Sequence, residues 1–178
     1  MRRLRVTEVL AISGLIDTQW YTEYACDRGT AVHSATALHD AGQLDESSDW
    51  GDEVAHGRLE GWKRFVSECS VKILRSEFEV THPTLNYVGH ADRLITLDER
   101  PWVIDIKPAT PERWHGLQLA AYQRAIQDSD ILTEGGLVRR ANVYLDKGKY
   151  KWIPRCEPRD WNVFHAALIV AQWKEASQ

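Results

Sequence analysis

Three short runs with a period of two follow one another between residues 72 and 107, and the last carries charge where a buried strand should carry none. KILRSEFEV (72–80) puts Leu74, Ser76, Phe78 and Val80 on one side and Ile73, Arg75, Glu77 and Glu79 on the other. His82-Pro83 ends it. YVGHADRLITL (87–97) is a second strand, DERP a turn and WVIDIK a third strand. Alternation along the second strand groups Val88, His90, Asp92, Leu94 and Thr96. On the third it groups Val103, Asp105 and Lys107 opposite Trp102, Ile104 and Ile106. Pairing these two strands as a hairpin brings Asp92 near Asp105. Glu77 on the preceding strand can supply a third acid, with Glu79 as its rival. Burying such charge is costly unless it is paired or bound to a metal.

Helical patterns flank these strands. Residues 6–15 read as a short helix with Thr7 as cap and Gly14 as stop, and residues 28–42 as a helix starting at Gly29-Thr30. In 49–69, Asp49 is the expected N-cap, and Ala55, Leu59, Trp62, Val66 and Cys69 recur at helical spacing. Thr110-Pro111-Glu112 starts a helix that runs to about Gln127. LVRRANVYLD and KYKWIP form a hairpin around Lys147-Gly148, and 159–176 is a last helix with Trp161, Phe164, Leu168 and Ala171 on one stripe. The order of elements predicts one α/β domain over residues 1–178, a mixed sheet flanked by helices.

Composition removes several function classes. A net charge of −4 gives no global basic signature. Cys26, Cys69 and Cys156 lie far apart, which argues against a disulfide framework, a zinc ribbon or an iron–sulfur site. The thiols read as reduced and the location as intracellular. Glu8 interrupts the apolar run after the basic N-terminus, and no stretch approaches the ~20 apolar residues of a membrane span.

An isolated D-x-K is most often a structural salt bridge. Here the clustered acids suit a hard divalent cation, held by Asp92, Asp105 and the backbone carbonyl of Ile106. Lys107 can then orient or deprotonate a water, or neutralise charge on a phosphate.

The wider pattern narrows the choice. G-x-x-D (Gly89 to Asp92), D-x-K (Asp105 to Lys107) thirteen residues after the first Asp, and Q-x-x-x-Y (Gln118 to Tyr122) follow in order. Upstream stands RGTAVHSA, similar to a G-T-x-x-H helix motif. Together they resemble the PD-(D/E)XK nuclease superfamily, most closely its RecB-type branch with its phage exonucleases, over nearly the whole chain. The resemblance implies a restriction-endonuclease-like core with a mixed central β-sheet, and a metal-dependent deoxyribonuclease, most readily an exonuclease. It implies His33 as an imidazole ligand to Mg²⁺ or Mn²⁺, Asp92 and Asp105 as metal acids, Glu77 as a further acid and Lys107 as the catalytic lysine. Gln118, Tyr122, Arg113 and Arg93 form the expected DNA-binding set. Trp114, His115, Arg124, Trp20 and Tyr21 are further candidates for stacking or phosphate contact. His39 and His56 match no motif and read as structural. Three scattered cysteines imply no iron–sulfur cluster. DNA is the expected partner, with a recombinase, single-strand-binding protein or helicase beside it, in the cytoplasm of a bacterium or a phage-infected cell. Two other readings stand open: a catalytically silent nucleic-acid-binding or assembly subunit on the same fold, and a metalloprotein or sugar- or nucleotide-binding protein whose Asp/Lys pair is structural.

Overall fold

The computed structural model describes residues 2–17, 23–45, 47, 50–108, 110–132 and 137–177. In chain order the elements are β1 (Leu4–Arg5), α1 (Val6–Ile12), α2 (Glu23–Asp40), α3 (Glu53–Glu68), β2 (Lys72–Thr81), β3 (Tyr87–Leu97), β4 (Arg100–Pro108), α4 (Trp114–Gln127), β5 (Arg139–Asp146), β6 (Lys149–Pro154) and α5 (Arg159–Ala176). One mixed sheet runs β1-β3-β4-β5-β6, and β2 also pairs with β3. β2, β3 and β4 form an antiparallel meander, β4 and β5 are parallel, and β5 and β6 are an antiparallel hairpin. Two tight turns close hairpins with paired left-handed residues, Asp98-Glu99 (φ 50° and 59°) and Lys147-Gly148 (φ 45° and 72°).

Helices cover both faces. Leu4, Tyr87, Leu94 and Val103 pack with α1, α4 and α5 on one face. Trp102, Ile104, Ile106 and Val143 pack with α2 and α3 on the other. A strand sandwiched in this way needs apolar residues in both phases, which is why WVIDIK is almost continuously apolar. Among the described residues no helix is long and apolar enough to cross a membrane.

Several boundaries differ from the sequence expectation. The first helix starts at Val6 and is capped at Arg5, whose N–H donates to Glu8 Oε2 at 2.8 Å, so Thr7 lies inside it. α2 begins at Glu23, which places Gly29 and Thr30 within the helix. α3 is capped by Asp52, whose Oδ1 accepts from the Ala55 N–H at 2.8 Å; the expected cap, Asp49, lies outside the described residues. α4 begins at Trp114, later than the expected Thr110-Pro111-Glu112 start, and the Glu112 N–H just before it donates to His115 Nδ1 at 3.3 Å. The two-residue β1 is too short to show a period.

Strict alternation along β3 fails. Tyr87 and Ala91 pack into the same core cluster as Leu94, so Asp92 and Leu94 do not belong to one unbroken face with Val88 and His90. The cause lies across the ladder. Ser76 pairs with Arg93 and Phe78 with Ala91, which leaves Glu77, at φ 46°, opposite Asp92. The left-handed Glu77 breaks the alternation there, and the ladder slips by one residue between Ile73 and Arg75.

Gly61 lets α3 pack closely against the β5–β6 hairpin, whose Gly148 N–H donates to the Gly57 carbonyl at 2.7 Å. A Cβ on it would stand 2.5 Å from the Lys149 carbonyl oxygen. Gly61→Ala is therefore expected to cost about 1–3 kcal/mol of overpacking and to lower the melting temperature by about 2–4 °C per kcal/mol. An unchanged thermal midpoint by circular dichroism would contradict this packing.

Candidate active site

β4 pairs with β3 only from Arg93 to Leu97, and toward the N-terminus of β3 the two strands part. β1 pairs with Tyr87 and Val88 instead. At the fork Asp92 Oδ2 accepts the Ile106 N–H at 2.5 Å, so a side chain replaces a ladder bond. Its other oxygen, Oδ1, lies 3.4 Å from His33 Nδ1 on α2. His33 Nδ1 is also 3.6 Å from Glu77 Oε1. One ligand atom from each of His33, Glu77 and Asp92 fits within a 4.8 Å span. Imidazole nitrogen and carboxylate oxygen in so small a volume suit a divalent cation, Mn²⁺ as readily as Mg²⁺. Glu79 is elsewhere, hydrogen-bonded to Thr81 at 3.2 Å.

Asp105 is buried beside this group. Its Oδ1 meets Lys107 Nζ at 3.1 Å, and its Oδ2 accepts from Asn142 Nδ2 at 2.9 Å. Lys107 Nζ also stands 5.2 Å from the centre of the Trp114 ring. Burial pushes the Asp105 carboxyl up to about 6; Lys107 opposes this and Asp92 adds to it. Asp92 drives His33 in the other sense, up to about 9 against its own desolvation, so the metal-free imidazole is charged at neutral pH. Burial works against ionisation of Glu77, but hydrogen bonds from His33 and Arg93 hold it below the usual carboxylate range.

A polar chain behind Asp105 fixes its orientation. Asn142 is paired with Asp105 in the parallel β4–β5 register and is fully buried. Its Oδ1 accepts from Arg155 Nε at 2.7 Å, which leaves its NH₂ to point at Asp105. Arg155 Nη2 donates to the Tyr144 hydroxyl at 2.6 Å, and that hydroxyl meets His115 Nδ1 at 2.8 Å. Burial, with Lys107 and Arg155 adding to it, brings His115 down to about 3, so it stays neutral and can accept.

The sequence profile of the PD-(D/E)XK nuclease superfamily matches residues 9–167. The chain belongs to that superfamily. Its members generally use divalent metals. A comparison of the sequence with curated proteins finds no match. Similar solved structures include LHK-Exo in complex with dAMP, at 14% identity and a TM-score of 0.46, and an alkaline exonuclease (LHK-Exo) from Laribacter hongkongensis, at 13% and 0.43. Each comparison covers 98% of this chain and 89% of the other.

In this PD-(D/E)XK chain His33, Glu77, Asp92, Asp105 and Lys107 converge, whereas the expected DNA contacts divide. For Ile106 the contact with Asp92 runs through its N–H rather than its carbonyl. Arg93 is corrected outright: it is 0% exposed and cannot reach a phosphate. Its guanidinium donates to Asp40 at 2.6 Å, Glu77 at 2.7 Å, the Asp92 carbonyl at 2.7 Å and Thr36 at 2.8 Å. Gln118 and Tyr122 are also buried and bond each other at 2.8 Å. Tyr122 closes over Gly89 and helps line an open cavity of about 340 Å³ with Arg5, Thr7, Val88 and His90. Burial raises its hydroxyl pKa, and Asp105 and Asp92 raise it further, which places it beside the acids. His115 is buried, and Arg124 is paired with Asp128 at 2.8 Å. Arg113 is exposed just before α4. His39 and His56 stay outside the site, His39 beside Asp40 at 3.5 Å and His56 against the Trp50 ring at 4.4 Å. Trp20 and Tyr21 lie outside the described residues.

The raised His33 value sets a pH dependence. A histidine whose folded value rises from 6.5 to about 9 contributes stability that is full below 6.5 and lost as pH climbs through 9. Asp105, raised from 3.8 to about 6, contributes stability that is full below 3.8 and lost as pH rises through 6, before the His33 window opens. The metal-free protein should therefore melt at progressively lower temperature from pH 6.5 to about 9. The rise in melting temperature on adding Mn²⁺ should grow across the same window, because a ligand imidazole must be neutral. A metal-free melting temperature flat over that range would contradict the His33–Asp92 coupling.

Proposed function

We propose that this chain is a metal-dependent deoxyribonuclease that hydrolyses phosphodiester bonds, acting as an exonuclease of the RecB-type, phage exonuclease-like branch. The observation that carries the reading is the fork itself: His33, Glu77 and Asp92 offer ligand atoms within 4.8 Å, beside a buried Asp105–Lys107 pair. His33, Asp92 and Asp105 would hold Mg²⁺ or Mn²⁺, with Glu77 as the further acid. The bound cation supplies a Lewis acid and an activated water.

The chain's own residues do the rest. Asn142 and Lys107 each bind one oxygen of Asp105, which fixes the orientation of the carboxylate. Lys107, over the Trp114 ring and paired with Asp105, is placed to neutralise charge on the phosphate or orient the attacking water. Tyr122, held by Gln118, stands beside the acids and lines the adjoining open cavity. Arg113 is free to meet the DNA backbone. The partner is DNA, with a recombinase, single-strand-binding protein or helicase as a further partner, in the cytoplasm of a bacterium or an infected cell.

The test is cleavage of linear, closed-circular and single-stranded DNA in Mg²⁺ and Mn²⁺. The wild type should degrade linear DNA and spare closed circles. Asp92→Ala and Asp105→Ala should abolish cleavage. Lys107→Ala should lose on the order of 10²–10⁴ in rate while still binding Mn²⁺, since an ammonium is not a ligand. His33→Ala should raise the metal concentration for half-maximal activity, in Mn²⁺ at least as much as in Mg²⁺. Wild-type cleavage by either Asp variant at equal folded concentration would overturn the assignment.

A further inference from the structure

Arg58, on the second turn of α3, is not used by the site as described above. It lines a small cavity with Val32, His33, Ile106, Lys107 and Leu145, so α3 reaches the wall of a cavity that His33 and Lys107 share. Its Nε is buried and has no hydrogen-bond partner among the described residues. The two most deeply buried arginines among the described residues are well supplied with acceptors. Arg93 donates to four acceptors, and Arg140 to the Gly116 and Glu157 carbonyls and to Asp160. A buried guanidinium donor left without an acceptor costs free energy, and the surroundings of Arg58 do not relieve it. Burial and the like charge of Arg28 both disfavour its charged form, while Asp146 and Asp52 pull only weakly the other way. Asp52 is already engaged, with Oδ2 3.0 Å from Arg28 Nε and Oδ1 on the Ala55 N–H.

Arg58, Lys107 and His33 thus face one cavity of about 20 Å³, otherwise lined by apolar groups. That volume admits one water or one oxygen of a larger group, but not a base. An oxygen of either kind would satisfy the Arg58 Nε. Building on the nuclease reading, we propose that Arg58 binds a non-bridging oxygen of the DNA backbone phosphate next to the one being cut. The cavity shares its walls with His33 and Lys107, so the phosphate it holds must lie within one nucleotide of the reaction. Contact of this kind carries no base information; it fixes the register of the strand against the metal group.

The test measures binding of a short duplex oligonucleotide in Ca²⁺, over a range of salt, for wild type, Arg58→Gln and Arg58→Lys. Arg58→Gln should bind roughly tenfold more weakly, the loss of one charge-assisted hydrogen bond, and its salt slope should fall by about one phosphate contact. Arg58→Lys should restore most of the slope. A single neutral methylphosphonate at the phosphate beside the scissile one should weaken wild type by the same factor and leave Arg58→Gln unchanged. Arg58→Gln should melt at or above wild type, where an arginine holding the fold together would melt lower when removed. Equal affinity and slope for wild type and Arg58→Gln, or coupling to the scissile phosphate alone, would overturn the assignment and leave the nuclease reading standing. A wild type that neither binds DNA in Ca²⁺ nor cuts it in Mg²⁺ or Mn²⁺ would overturn both.

Discussion

The site depends on one substitution in the sheet: the Asp92 carboxylate takes the Ile106 N–H at 2.5 Å where a backbone carbonyl would continue the ladder. Had β3 and β4 stayed paired, Asp92 and Asp105 would face each other as like charges across the strands, a destabilising arrangement. Parting the strands leaves both carboxylates near the same opening and exposes the edge of β3 that β1 then meets at Tyr87 and Val88. Across the ladder Glu77 adopts φ 46°, at a cost of order 1–3 kcal/mol for a residue with a side chain, and turns its carboxylate toward His33 and Arg93. The absent side chain at Gly89 leaves room for the Tyr122 ring to close against the strand.

Charge bears on the choice between a structural and a chemical reading of D-x-K. The ion pair expected of a structural bridge is present, with Lys107 Nζ 3.1 Å from Asp105. Yet Lys107 does not neutralise the group. Asp105 still resists ionisation, and Asp92 imposes a proton on His33. A scaffold needs no such arrangement, and apolar residues of similar volume would serve it as well or better. Two cations have distinct duties: Arg93 is fixed within the fold by Asp40, Glu77 and Thr36, while Lys107 keeps partial access to the cavity it shares with His33.

Much of this was legible in the sequence because its signals are local. β3 and α5 have the expected limits, and the β5–β6 hairpin turns at the expected Lys147-Gly148. The convergence of His33, Asp92, Asp105 and Lys107 follows from motif order. Less legible was what depends on non-local geometry. A period of two cannot show that Glu77 is left-handed, so the faces assigned to β3 were wrong beyond Ala91. Arg93 reads as a surface cation beside Asp92, and only the packing of α2 against the sheet reveals Asp40 and Thr36 waiting for it. Asn142 signalled itself weakly, as one amide within an apolar strand. Its role rests on the β4–β5 register, which no local pattern encodes.

The central claim is that WVIDIK carries its charges for a cation and not for packing. The most direct measurement is a thermal melt of wild type and Asp105→Asn, each with and without saturating Mg²⁺ or Mn²⁺. A cation that binds only the folded chain stabilises by about 1.4 kcal/mol at roughly ten times its Kd, or a few degrees for a chain of this size. Wild type should gain those degrees on adding metal. Asp105→Asn, which removes one repelling charge at nearly constant volume, should melt at or above wild type without metal and lose most of the metal-induced rise. A lower metal-free melting temperature for Asp105→Asn, with no metal response in either protein, would contradict the account and make Asp105–Lys107 a structural salt bridge.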